Sequence, residues 1–442
     1  MISSVGKSRY GRTSRKRKRH SSKRIFQSIG DEGMMIDLLK WMKSSGFRRQ
    51  EVKPAVFSGT GRGLMAKRSF KPGDTIVKVP HCLLITTTTV LRSDIGPVIK
   101  QHPELTPRQI LCIFLLIEKH KGRLSFWSPY ISQLPDTYTT TSYFTDEELN
   151  SLPQHLHQKS LFQIETVNDE FQKVKTFSEC LKSLDLHYIR LFTFEAFRWA
   201  WFVINTRSVY MDPDVSQWKN SHELDSYALA PFLDLLNHSA KAEVTAGFNQ
   251  TSNCYEIKTH NSYEKYDQVF ICYGHHGNEK LLLEYGFVVP LNYQTTVHIP
   301  FELILESVKS YHGRNIPSTV LKKKIKFLRE HSHLSAMSEL TCGYEGVSWQ
   351  LMVTLSLLCT INNNRIHWQR ICVGQETTTA EELKVTNEIA NYILKNMRKQ
   401  ITEKIGRLSV GGHYKLLEDF LKEQLHILDT SIKLLAENNQ RV

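Results

Sequence analysis

The sequence predicts an α+β fold, in which a β-rich body is interrupted by a helical insert and followed by an all-helical C-terminal domain. Three observations predict it. Short strand-like runs cluster on both sides of a helical stretch, long amphipathic segments cover roughly 154–182 and 193–206, and helical periodicity runs from about 300 to the end. With 442 residues, 40% hydrophobic and 10% aromatic, the chain can hold two or three domains with sizeable cores. The expected division is a disordered basic tail at 1–30, a body at 31–300 with its insert at about 100–225, and a helical domain at 301–442.

The net charge of +13 belongs mostly to the tail. Residues 1–30 contain ten Lys/Arg and no acid, whereas the remainder holds 47 Lys/Arg against 44 Asp/Glu. Around Arg15-Lys16-Arg17-Lys18-Arg19-His20 there is almost nothing apolar to bury, so disorder is expected. Three readings of this run stay open: a solvated leader, a nuclear-import signal, or a contact for nucleic-acid phosphates. The nearly neutral body does not read as a dedicated nucleic-acid-binding domain. No stretch approaches the ~20 apolar residues of a membrane helix, and no apolar run behind the basic residues suggests a secretory signal. The eight cysteines are scattered without a C-x-x-C pair, which argues against a zinc cluster or disulfide framework and fits a reducing compartment.

Local signals set the elements in order. Apolar residues at helical spacing from Met34 to Met42 predict a helix ended by Gly46. Val56 and Phe57 lead into Ser58-Gly59-Thr60-Gly61-Arg62-Gly63, read as a corner between two strands. Lys71-Pro72-Gly73-Asp74 is a turn with Pro at its second and Gly at its third position, and Thr75–Pro80 is the next strand. Thr106-Pro107 opens a helix from Arg108 to His120 that Gly122 closes, and Thr145 to Glu148 reads as a capping box. Phe192, Phe194, Phe197, Trp199, Trp201 and Phe202 fall at core spacing. Val244–Phe248, Cys254–Thr259 and Gln268–Tyr273 are strands; Gly277–Tyr285 is a helix stopped by Gly286; 345–362 and 412–436 are the clearest later helices.

Four stretches could carry chemistry. Ala230-Pro231-Phe232-Leu233-Asp234-Leu235-Leu236 ends abruptly in Asn237-His238-Ser239, whose polar groups need partners after so apolar a run. A local helix cap would satisfy them, and so would a ligand. Gly59-x-Gly61-x-Gly63 is either a tight turn or a place where backbone can approach a ligand closely. It is not the dinucleotide loop, which opens a helix. Tyr273-Gly274 ends a strand and Tyr285-Gly286 ends a helix; each tyrosine alone also reads as core.

Gly61-Arg62-Gly63-Leu64, Asp234 to Ser239, Ile271-Cys272-Tyr273-Gly274 and Glu284-Tyr285-Gly286-Phe287 resemble the motifs of SET-domain protein methyltransferases. Their order, with a large helical insert before Asn-His-Ser, is similar to the Rubisco large-subunit methyltransferase (LSMT) class, and the helical C-terminal third to that class's substrate-binding domain. The resemblance implies an S-adenosylmethionine-dependent protein-lysine N-methyltransferase acting on histone or non-histone proteins. A monomer of nucleus and cytoplasm is expected, without metal or membrane attachment, touching nucleic acid only through the tail. The backbone at Thr60, Gly61, Arg62 and Gly63 would receive the donor, with Arg207 pairing its carboxylate and Asp234, Asn237 and His238 binding beside it. Tyr273 would be catalytic and also touch the donor; Tyr285 would line the channel for the acceptor.

The implied chemistry is an in-line methyl transfer from a sulfonium to an amine, which needs alignment and a neutral amine. Deprotonating a free lysine at pH 7 costs about 4.6 kcal/mol, at ~1.36 kcal/mol per pKa unit; a nearby cation and an apolar channel lower that cost. Two alternatives remain: a non-catalytic protein-binding scaffold on the same fold, and a histidine acceptor.

Overall fold

The computed structural model describes residues 26–28, 32–185, 187–211, 227–311, 317–330, 340–375 and 379–439. The chain divides into two compact units, the first comprising residues up to Asp136 with Glu170–Tyr273, the second Thr137–Asp169 with Gly274–Val442. The junction therefore lies at 273/274 and not near 300, and part of the expected insert groups with the C-terminal helices. Burial explains the difference: Leu149, Leu152 and Leu156 belong to the same core cluster as Ile299, Leu357 and Leu428. Each such side chain contributes about 1.5–3 kcal/mol when fully buried.

In the first unit, strands β1 (Phe26–Ser28), β2 (Val52–Phe57), β3 (Gly61–Ala66), β4 (Thr75–Pro80), β5 (Ser208–Tyr210), β6 (Tyr227–Leu229), β7 (Asn237–His238), β8 (Val244–Asn249), β9 (Cys254–Thr259) and β10 (Gln268–Ile271) form three sheets. One has the order β1-β2-β3-β10-β7, another β4-β9-β8, and β5 pairs with β6. All pairings are antiparallel except β10 with β7, which run parallel with Phe270 beside Asn237 and Ile271 beside His238. β1 lies inside the expected 1–30 tail, so disorder does not extend over Phe26–Ser28; its backbone covers the free edge of β2. The basic run itself, residues 15–20, lies outside the described residues.

Helix signals act where local chemistry is complete. Thr106 Oγ1 accepts from Gln109 N at 3.3 Å while Gln109 Oε1 accepts from Thr106 N at 2.8 Å, so the helix Pro107–Lys121 starts from a reciprocal cap. Every residue from Ile110 to Ile117 is buried, and this helix packs on Phe194–Arg207. There Phe197 and Phe202 are fully buried, and Trp199 Nε1 donates 2.8 Å to the Pro135 carbonyl.

The second unit carries the helices Phe301–Ser310, Ser318–Glu330, Trp349–Cys359, Arg365–Cys372, Ala380–Gly406 and Tyr414–Asn439. It is not wholly helical beyond 300: β11 (Val297–His298), β12 (Thr341–Gly343) and β13 (Gly346–Val347) form a small antiparallel sheet. Tyr344 and Glu345 make the tight β12–β13 turn and Gly346, at φ 105°, opens β13, so the helix expected from 345 begins only at Trp349, capped by Ser348. Lys324, 1% exposed, donates to the carbonyls of Leu358 and Thr360, placing its charge at the negative end of Trp349–Cys359. Among the described residues no helix is long and apolar enough to cross a membrane.

Candidate active site

Three segments of the first unit meet at the loop end of the β2–β3 hairpin. Phe57 faces Gly61 in the ladder, leaving Ser58, Gly59 and Thr60 as the loop, so Gly61 and Gly63 lie in β3 itself and not in a corner between strands. Gly59 and Gly61 have φ of 96° and 69°, the left-handed region that glycine enters without strain. Gly63 is needed for a different reason: a Cβ there would lie 2.7 Å from Gln268 Nε2 and 2.8 Å from Asn237 Nδ2. The sheet brings both side chains flat against its Cα.

Asn237 Nδ2 donates to the Arg62 carbonyl at 2.9 Å and to the Thr60 carbonyl at 3.4 Å. These are the partners that the apolar run at 230–236 left open, and they come from neither a helix cap nor neighbouring sequence. Thr60 Oγ1 donates 2.9 Å to Gln268 Oε1. Next along β7, His238 Nδ1 accepts the Tyr273 N–H at 3.1 Å, so Nδ1 carries no proton there and a neutral ring bears its hydrogen on Nε2. The Tyr273 hydroxyl donates 2.7 Å to the Leu236 carbonyl, and the two rings are 5.3 Å apart. Tyr273 is thereby held at its backbone by His238 and at its hydroxyl by Leu236.

Arg207 and Asp234 face each other. Arg207 Nη1 lies 3.0 Å from Asp234 Oδ2 and 3.3 Å from the Asp234 carbonyl, and the Asp234 side chain is only 4% exposed. The carboxylate facing Arg207 is thus the chain's own, and Asp234 braces the turn before Asn237 instead of lining an open surface. That turn contains Phe232 at φ 70°, a conformation few non-glycine residues adopt. Gln268, Tyr130 and Gln133 are contacts that sequence reasoning missed, since no local signal ties residues so distant in the chain.

In the second unit, Tyr285 ends a one-turn helix followed by a π-type turn, and Gly286 stops it at φ 78°. A Cβ at Gly286 would sit 2.5 Å from Thr139 Oγ1, which donates 2.6 Å to the Gly286 carbonyl. The His276 and Tyr285 rings stack at 6.3 Å. Upstream, Asn278 is fully buried, exchanging hydrogen bonds with Val289 and receiving one from Asn292. Burial pushes the Glu279 carboxyl up, but hydrogen bonds from His155 and Lys159, with the Lys159 charge, bring it down to about 2.

A family model described as the SET domain matches residues 61–274. SET domain-containing protein 4 of Mus musculus is 36% identical over 441 residues, 97% of this chain and 98% of the relative. The chain belongs to the SET-domain family. This SET-domain protein is also 28% identical over 280 residues, 61% of its own length and 44% of the other's, to actin-histidine N-methyltransferase of Mus musculus. A crystal structure of the SET domain of LSMT bound to lysine and AdoHcy superposes with a TM-score of 0.55 at 19% identity, covering 92% of each chain. That likeness shows the fold, an α+β SET core followed by helices, as the sequence predicts.

S-adenosylmethionine is the methyl donor of SET-domain methyltransferases, and the residues present fit its amino-acid end. Its ammonium needs acceptors, which the Thr60 and Arg62 carbonyls and Asn237 Oδ1 would supply; among the described residues nothing donates to that Oδ1. Its carboxylate needs donors, and Gln268 Nε2 is buried without an acceptor among the described residues.

Proposed function

We propose that this SET-domain protein transfers a methyl group from S-adenosylmethionine to lysine side chains of protein substrates, histone or non-histone. The observation that carries the reading is the junction of Thr60–Gly63, Asn237–His238 and Tyr273 in one hydrogen-bonded place. When bound, the donor supplies the sulfonium methyl, so no metal and no covalent intermediate on the chain is required. The Tyr273 hydroxyl commits its proton to the Leu236 carbonyl, and what remains is an oxygen lone pair that can face a developing or fixed positive charge. Leu236 holds that hydroxyl and His238 the Tyr273 backbone beforehand, which is alignment without reorganisation during the reaction.

The test is a labelled-methyl assay on whole lysate with wild type and Tyr273→Phe, followed by hydrolysis of the labelled proteins. N-methyl-lysine from wild type and a loss of about two orders of magnitude or more in Tyr273→Phe support the reading. Methylhistidine would replace the lysine acceptor with the one named for the actin-modifying relative. Equal labelling by both proteins would remove Tyr273 from its role, and no labelling would favour a scaffold. The basic run at Arg15–Arg19 supports a share of the protein in the nucleus as well as the cytoplasm. Imaging the full chain beside one lacking residues 1–30 checks it: unchanged distribution would refute an import role.

A further inference from the structure

Two contacts run from the short segment Ser128–Gln133, part of the helical insert, to opposite sides of the site. Tyr130, 1% exposed, donates its hydroxyl to Asp234 Oδ2 at 3.1 Å. Gln133, three residues on, receives Arg62 Nη2 on its backbone carbonyl at 2.9 Å. Asp234 lies three residues before Asn237, and Arg62 is the residue whose carbonyl takes the Asn237 amide. Both ends of the Asn237–Arg62 hydrogen bond are therefore held from the same turn of chain, the Asn237 end through Asp234 and the Arg62 end through that residue's own side chain.

The held turn needs restraint. Phe232 sits at φ 70°, and such a conformation persists only where its surroundings over-determine it. The Phe47 ring 5.2 Å from Phe232 fixes the side chain, while Tyr130 and Arg207 together fix Asp234 two residues later. From Asp234 the chain turns through Leu235 and Leu236, so a shift there moves both the Leu236 carbonyl under Tyr273 and the Asn237 amide.

We propose that Tyr130 is a positioning residue for the methyl donor. It touches no reacting atom. It holds Asp234, and through it the Leu233–Asn237 turn, in the register that delivers Asn237 to the Arg62 and Thr60 carbonyls. This rests on the reading of those residues as the donor site.

The experiment is calorimetric titration of S-adenosylmethionine into the full-length chain as wild type, Tyr130→Phe, Asp234→Asn and Tyr344→Phe. Tyr344 gives its hydroxyl to Glu423 Oε1 at 2.6 Å in the second unit, so its variant loses a matched tyrosine–carboxylate bond that involves none of Thr60–Gly63, Asp234–His238 or Tyr273. Tyr130→Phe should bind the donor roughly three- to tenfold more weakly, the loss expected of part of one charge-assisted hydrogen bond. Asp234→Asn should shift affinity in the same direction, and keeps the proposal testable if Tyr130→Phe yields no soluble protein. Tyr344→Phe should lower the melting temperature while binding like wild type. Wild-type affinity in Tyr130→Phe or Asp234→Asn, or an equal loss in Tyr344→Phe, would overturn the positioning role. A wild type that binds no donor would instead overturn the functional reading beneath it.

Discussion

The side-chain amide of Asn237 lies 2.9 Å from the Arg62 carbonyl, joining residues 175 positions apart. That bond ties the apolar run ending in Asn-His-Ser to the glycine hairpin. The parallel pairing of β7 with β10 then places Tyr273 two residues beyond the pair Ile271–His238. One short strand, Asn237–His238, thus touches both other segments.

Replacing Asn237 with Ala removes the donor to the Arg62 and Thr60 carbonyls and the Oδ1 acceptor together. Donor affinity should fall roughly ten- to a hundredfold, the equivalent of about 1–3 kcal/mol for unsatisfied polar groups. The melting temperature should change little by comparison. Calorimetric titration beside thermal unfolding checks this; a large drop in melting temperature with unchanged donor affinity would reduce Asn237 to a structural cap.

Gly63→Ala places a methyl group 2.7 Å from Gln268 Nε2 and 2.8 Å from Asn237 Nδ2. One of those amides must move, so methyl transfer should fall at least tenfold while overpacking costs about 1–3 kcal/mol of stability. Gly247→Ala in β8 is the contrast: its Cβ meets nothing within 4 Å, and stability should stay within about 0.5 kcal/mol of wild type. Denaturant unfolding of the two variants, with initial rates, separates the cases.

How far the sequence could be read follows from where each contact lies. The strand Thr75–Pro80 and the Thr106 cap were legible because alternation, a Pro-Gly turn and a reciprocal side-chain bond are all local. The site residues were found through motif resemblance and not through spacing. The need for glycine at 63 depends on Gln268 and Asn237, far along the chain, so only the fold reveals it. Likewise, nothing near Arg207 announces that Asp234 is its partner. The unit boundary was missed because Leu149, Leu152 and Leu156 look like any amphipathic helix face until the core they enter is seen.

Gly286→Ala should be the more destructive glycine substitution. Its φ of 78° disfavours any side chain, and the new Cβ would meet the Thr139 backbone carbon at 2.6 Å. With strain and clash added, a loss of about 3 kcal/mol or more is expected in denaturant unfolding of the full chain. A variant as stable as wild type would mean the Tyr285–Gly286 turn is not built as described.

Glu279 gives a pH signature. Its folded-state carboxyl lies at about 2, below its ordinary value, through His155 and Lys159 acting against burial. A depressed carboxylate stabilises the fold fully above its unfolded value, near ~4.3, and loses that contribution as pH falls toward the folded value. Wild type should therefore lose stability between pH ~4.5 and ~2 more steeply than Glu279→Gln, which should already be weaker at pH 7 by about 2 kcal/mol. Thermal unfolding of both proteins across that window checks the difference; parallel curves would show that the ion pair contributes nothing.

Whether Thr60–Gly63, Asn237–His238 and Tyr273 enclose one donor site can be read from a crystal structure of the full chain with S-adenosylhomocysteine bound. The ligand's amino-acid end should lie within hydrogen-bonding distance of the Thr60 or Arg62 carbonyl and of Asn237, with its sulfur nearest the Tyr273 hydroxyl. A ligand bound elsewhere on the chain, with those three segments untouched, would contradict it.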